Sequence, residues 1–185
     1  MNPAGARGSI RDMSNSISFH SHLHRRIITI VGLALAALLL SHDMTARAAV
    51  WNGIEPLKSR RADVERQLGK PVKASPGETG TLNFKVAGGT VTVLFVNAKF
   101  VATKKIAPEL EGTVLQIVLQ HERATDSPES LGLVNNSDFA REDSKDAVVY
   151  RNIKDGIFYF FVGGQLKTTR YAPPAEQLSR VQRKG

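Results

Sequence analysis

Residues 157–171, Ile-Phe-Tyr-Phe-Phe-Val-Gly-Gly-Gln-Leu-Lys-Thr-Thr-Arg-Tyr, decide the fold. Two runs rich in aromatic and β-branched residues flank Gly163-Gly164, which is the composition of an antiparallel hairpin with a two-residue turn. The glycines link strand to strand with no helix following, so they are a turn and not a phosphate loop. Working backward, residues 148–151 read as a strand leading through a Lys154-Asp155-Gly156 turn into this hairpin.

Further upstream, Leu82, Phe84 and Val86 alternate with polar residues, and Gly88-Gly89 turns the chain into the apolar run 91–96. A bend at Asn97-Ala98 leads to Phe100-Val101, a loop spans 107–112, and strand 113–120 places Leu115, Ile117 and Leu119 on one face. From His121 to Asp146 the chain is polar and turn-rich, with Leu131, Leu133, Val134 and Phe139 as its apolar anchors. Residues 91–96 also align with 157–162, and the bends Asn97-Ala98 and Gly163-Gly164 then coincide, a weak internal echo.

Before the strands, Leu57, Ala62, Val64 and Leu68 form a narrow apolar stripe at helical spacing. Gly69 supplies a left-handed stop and Pro71 cannot continue the helix, so a helix is predicted over 60–68. Ser59 is the expected N-cap, and Asp63 stands in the first turn, where the helix dipole favours an anion. The expected architecture is therefore α+β, a helix packed on an antiparallel sheet of about five to seven strands.

The segment before this domain reads as an export signal. His24, Arg25 and Arg26 precede an apolar run over 27–40, and Ala46-Arg47-Ala48 follows as an A-x-A cleavage pattern. At about 1.5 Å per residue the run falls short of a bilayer core of about 30 Å, so cleavage is expected in place of a stable membrane anchor. Met1 and Met13 are both candidate starts. The expected organisation is a signal over 1–48, one α+β domain over 49–172 and a basic C-terminal tail over 173–185 that ends in frayed residues. The chain has no cysteine, so it carries neither a lipid attachment site after the signal nor disulfides, and the fold must hold by packing.

Removing the signal changes the chemistry on offer. Five of the 25 Lys and Arg and two of the 17 Asp and Glu lie within 1–48, which lowers the net charge from +8 to +5. The remainder is spread along the chain without aromatic interleaving, and no nucleic-acid footprint emerges. The metal-like tract His20, His22, His24 departs with the signal, as does His42, leaving His121 alone.

Residues 51–71, with Trp51, Gly53, Ile54, Pro56 and Leu57 running into Leu68-Gly69-Lys70-Pro71, resemble a family of uncharacterised exported bacterial proteins. The strand pair 89–96 and 113–118, and the run from Asp146-Ala147-Val148-Val149-Tyr150 through Asp155-Gly156-Ile157 to Thr169-Arg170-Tyr171, share in the resemblance. The helix-Leu-Gly-x-Pro element followed by hairpins is also similar to the SmpA/OmlA-type envelope lipoproteins and the β-lactamase inhibitory protein fold. That resemblance implies one or two helices on an antiparallel sheet and a role in binding proteins. Two departures stand out: Arg60 occupies a helix-start position where relatives carry threonine, and the lipid-bearing cysteine is missing, which argues against a tethered role.

Candidate chemistry is sparse. His121 lies near Asp126 and Ser127, but a triad is a matter of spatial geometry and no G-x-S-x-G elbow is present. One histidine and no cysteine do not make a zinc site. Glu142, Asp143, Asp146 and Asp155 form an acidic neighbourhood without the spacing of a calcium loop. Glu109 and Glu111 are paired carboxylates with nothing nearby to separate their pKa values. No catalytic residue, metal or cofactor is expected.

Trp51, if buried, anchors the segment after the cleavage site; if exposed, it is a binding hot spot. The run 158–161 puts large apolar groups on both faces of one strand. One face should meet the helix, and the other is either covered by 131–139 or forms an aromatic partner face built on Phe158 and Phe160. The leading expectation is a periplasmic or secreted, non-enzymatic protein that binds another protein or an envelope component. The alternatives are a small hydrolase using carboxylates in a cleft and a binder of a small apolar ligand between helix and sheet.

Overall fold

A computed structural model describes residues 48–182; the expected signal, apart from Ala48, lies outside the described residues. Helix α1 (Arg61–Leu68) precedes strands β1 (Lys73–Ala74), β2 (Leu82–Val86) and β3 (Gly89–Phe95). Helix α2 (Ala98–Lys104) and a 3-10 turn (Pro108–Leu110) lead into β4 (Val114–His121). After a long loop come β5 (Ala140–Asp143), β6 (Ala147–Asn152), β7 (Ile157–Val162), β8 (Gln165–Tyr171) and helix α3 (Ala175–Arg180). All eight strands join one antiparallel sheet in the order β1-β2-β3-β4-β8-β7-β6-β5. Two four-stranded meanders thus meet through their last strands, β4 and β8, paired at Leu119 and Thr169.

The expected antiparallel sheet with helices beside it is present, but the sheet has eight strands instead of five to seven. Phe100 and Val101, expected to be extended, belong to α2, where Asn97 caps the start by accepting the Phe100 N–H at 2.9 Å. Two short strands come from segments without an apolar pattern. Strand β1 has two residues, and β5 is fully exposed, with Arg141, Glu142 and Asp143 along it. Both stand at the ends of the sheet, where charge and shortness discourage further strand addition.

Helix α1 forms where the stripe predicts it, and Gly69 ends it at φ 79°. Its N-cap is Arg60 and not Ser59. The Asp63 carboxylate accepts the Arg60 N–H at 2.9 Å, while the Ser59 hydroxyl accepts from Glu55 N four residues upstream. Arg60 is further fixed by its guanidinium, which donates to the carbonyls of Glu109 (2.8 Å) and Glu111 (3.1 Å).

One face of the sheet is the core, with strict alternation of buried residues along β3. On the β2–β4 side, Leu82, Phe84, Val91, Val93, Phe95, Val114 and Ile117 pack with Val64 and Ile54. On the β6–β8 side, Tyr150, Phe161 and Leu166 pack with Leu133, and Phe139 and Tyr159 lean in. The helix therefore covers only one half of this face. The other half is covered by the loop between β4 and β5, which is strapped to β8 by the Leu166 N–H donating to the Asp126 carbonyl at 2.9 Å. A third cluster, Leu57, Val96 and Ile106, receives Phe100 from α2 and Leu178 and Val181 beside α3. Within the segment expected as a basic tail, α3 docks over Ala175–Arg180, and Gln182 beyond it bridges Ile106.

Candidate functional site

The opposite face of the sheet is a different surface. Register places Ala140, Arg151, Phe158, Arg170, Val118, Thr92, Asn83 and Lys73 in one row across all eight strands. The adjacent row runs Glu142, Val149, Phe160, Thr168, Gln120, Thr90 and Lys85. Side chains directly opposite one another in a sheet share a face. Phe158, Phe160, Val118 and Val149 are half-buried, and they join none of the three core clusters.

Arg170 dominates this face. Its guanidinium carbon sits over the Phe158 ring at 4.1 Å from the centroid and reaches Phe160 at 5.5 Å. Such contacts strengthen as the cation is desolvated. Arg151, on the other side of Phe158, is ion-paired with Glu142. Among the described residues Arg170 meets no carboxylate, and the Nε atoms of both arginines are buried without an acceptor. Burial first, and then repulsion from Arg151, holds the Arg170 guanidinium below its ordinary pKa.

Phe158 and Phe160 thus stand together on one face, and the loop 131–139 covers the other side of β7, at Tyr159 and Phe161. Trp51 is not with them. It packs against the α1 side of the core, in a tight turn in which Trp51 and Ile54 exchange both backbone hydrogen bonds (3.0 and 2.8 Å) around Asn52-Gly53. The structure thus does not bring Trp51 together with Phe158 and Phe160: Trp51 packs against the core side of the sheet, and the two phenylalanines join none of the core clusters. Trp51, Leu68, Val86, Leu119 and His121 instead line an open groove of about 300 Å³.

His121 ends β4 beside this groove, its Nε2 2.9 Å from the Thr169 Oγ1. Desolvation lowers its pKa, with Asp126 pulling weakly the other way. Ser127 is occupied in a reciprocal turn with Ser130, and Thr169, the hydroxyl bonded to the imidazole, is only 3% exposed, so neither is an accessible nucleophile. The acidic neighbourhood is dispersed: Glu142 pairs with Arg151, Asp143 with Arg141, and Asp155 accepts from the Asn152 amide at 2.7 Å. Among the described residues no three His, Asp or Glu side chains are grouped to hold a metal ion. At the surface Glu109 lies within the 3-10 turn and Glu111 directly follows it, with their backbone carbonyls taken by Arg60. No described helix is long and apolar enough to cross a membrane. Ala48, the last residue of the cleavage pattern, is buried, and the Ala49 N–H donates to the Asp155 carbonyl at 2.9 Å; Ala46 lies outside the described residues.

Arg170 is the site residue that sequence reading missed. A two-residue turn at Gly163-Gly164, counted without interruption, places Thr169 opposite Phe158. A bulge between Phe160 and Phe161 shifts the register, so that Arg170 faces Phe158 instead.

The chain matches no protein-family profile and no curated protein. Among solved structures it is similar to a DUF4309 family protein (YjgB) from Bacillus subtilis subsp. subtilis str. 168. The two are 15% identical, the match covers 65% of this chain and 82% of the other, and the TM-score is 0.42.

Proposed function

We propose that this is an exported, non-enzymatic binding domain, periplasmic or secreted, which docks a protein or envelope component on the open face of its sheet. The observation that carries the reading is the pairing of Phe158 and Phe160 on a face outside the three core clusters, beside a cation with no carboxylate partner among the described residues. Aromatic side chains and arginine are the residues that dominate binding energies at protein interfaces. The charged edge at β5 favours docking on the face over strand addition at the edge. The signal read over 1–48 supports export. The missing accessible nucleophile beside His121 supports a role without catalysis. The resemblance of residues 51–71 to exported proteins and protein-binding folds belongs to the same proposal.

The test is affinity capture by the mature protein from envelope extract, with Phe158→Ala and Phe160→Ala compared by thermal melting to confirm folding. A partner lost with both variants supports the reading; a partner fully retained by both contradicts it. A second reading, a small apolar ligand, draws on the groove beside Trp51. It predicts quenching of the Trp51 fluorescence by that ligand with no effect of Phe158→Ala.

A further inference from the structure

Resting on that docking reading, we propose that the open face takes an acidic, extended peptide segment. Arg170 receives a carboxylate while Phe158 and Phe160 receive the neighbouring apolar side chains. The charges on the face point to this occupant. Beside Phe158 and Phe160, Arg151 is paired with Glu142 while Arg170 has no counter-ion among the described residues; farther along the face Lys85 is paired with Glu122 at 2.6 Å, Lys73 ends the row on β1, and Lys167 donates to the Gln165 side chain. Arg151, directly across Phe158 from Arg170, adds positive potential while already satisfied. A cation over an aromatic ring uses the flat face of the guanidinium and leaves its N–H edge to form a planar, two-pronged bond to a carboxylate. An incoming anion would also relieve the repulsion between Arg151 and Arg170.

The same arrangement disfavours an anionic lipid surface. Membrane attraction needs a cluster of several unpaired basic groups, whereas in its row Arg170 is four strands away from the other unpaired cation, Lys73, and is set among Phe158, Phe160, Val118 and Val149. One unpaired cation bordered by apolar side chains matches a segment in which glutamate or aspartate alternates with aliphatic residues. Alternate residues of an extended segment point the same way.

The experiment is an NMR titration of the exported protein with an end-capped peptide of alternating leucine and glutamate. Its leucine–glutamine counterpart and phosphatidylglycerol vesicles form the other arms. The glutamate peptide is expected to shift the amide signals of β7 and β8. Arg170→Gln, and separately the glutamine peptide, should weaken binding about tenfold, and Arg170→Lys should fall between. Melting curves establish that the variants are folded.

Equal binding of the two peptides on this face overturns the carboxylate inference and leaves the docking reading standing. Vesicle binding that depends on Arg170, with no peptide binding, overturns it in favour of a lipid surface. Shifts confined to the Trp51 groove overturn both readings. Absence of any binding overturns this inference, while the capture experiment with Phe158→Ala and Phe160→Ala still decides the docking reading.

Discussion

The Arg170 guanidinium lies 4.1 Å from the centre of the Phe158 ring, on the face of the sheet opposite the core. The two meet because an irregularity between Phe160 and Phe161 slides β8 by one residue against β7. Restoring plain hairpin pairing would put Thr169 in that place and turn Arg170 toward the core. A single bulge therefore decides whether Arg170 stands on this face.

The cap of α1 rests on Asp63, whose carboxylate accepts the Arg60 N–H and pairs with Arg66. These two contacts, the backbone bond first, hold its pKa below the ordinary value. A carboxyl depressed in the folded state stabilises above its unfolded pKa, and that contribution is lost as acid protonates it. Asp63→Ala should cost about 1 kcal/mol at neutral pH, with the difference from wild type narrowing in acid. Melting curves across pH check this.

His121 acts in the same direction, in milder acid. Desolvation leaves the folded imidazole harder to protonate than the unfolded one, whose usual value is 6.5. The unfolded state then binds more protons below that value, and stability should fall as pH drops through it. His121→Gln should flatten the dependence of the melting temperature between pH 7 and pH 5. An unchanged slope would show that the Thr169 contact carries no such linkage.

Gly156 and Gly88 both hold positive φ, 73° and 83°, but only Gly156 is crowded: an added Cβ would lie 1.9 Å from the Ala172 carbonyl oxygen, while Gly88 has open space. Gly88→Ala should cost about 1 kcal/mol for conformation alone, and Gly156→Ala should cost clearly more. Denaturant unfolding of the pair makes the comparison.

The loop between β4 and β5 is held by Leu133, which is 4% exposed against Tyr150, Phe161 and Leu166. Leu133→Ala should destabilise by about 3 kcal/mol and accelerate hydrogen exchange in the loop more than in α1. Uniform acceleration across both would show that the two halves of the core unfold as one.

Where periodicity and punctuation agreed, the sequence was readable. The stripe through Val64 and Leu68 with its Gly69 stop gave α1, and the glycine turns gave the β2–β3 and β7–β8 hairpins. Alignment of 91–96 with 157–162 also matches the structure in part, since β3 and β7 hold corresponding places in the two meanders. It breaks immediately afterward: Asn97 starts a helix, while Gly163-Gly164 returns the chain directly.

The misses have physical causes. Phe100 and Val101 favour strands in isolation, and the Asn97 cap overrode them. Strand β5 is all polar and exposed, so it shows no alternation and is defined by pairing with β6. Helix α3 follows Pro173-Pro174 with a weak apolar stripe, and only the distant Ile106 cluster explains its docking. The partner face was legible in Phe158 and Phe160 but not in Arg170, because a one-residue bulge has no signature in composition.

The most direct measurement is photocrosslinking in living cells, with Phe160→p-benzoylphenylalanine on the open face and Trp51→p-benzoylphenylalanine on the opposite one. The account predicts a discrete adduct from position 160 that weakens with Arg170→Gln, and none from position 51. An adduct from position 51 alone, or none from position 160 in a folded, exported protein, would contradict it.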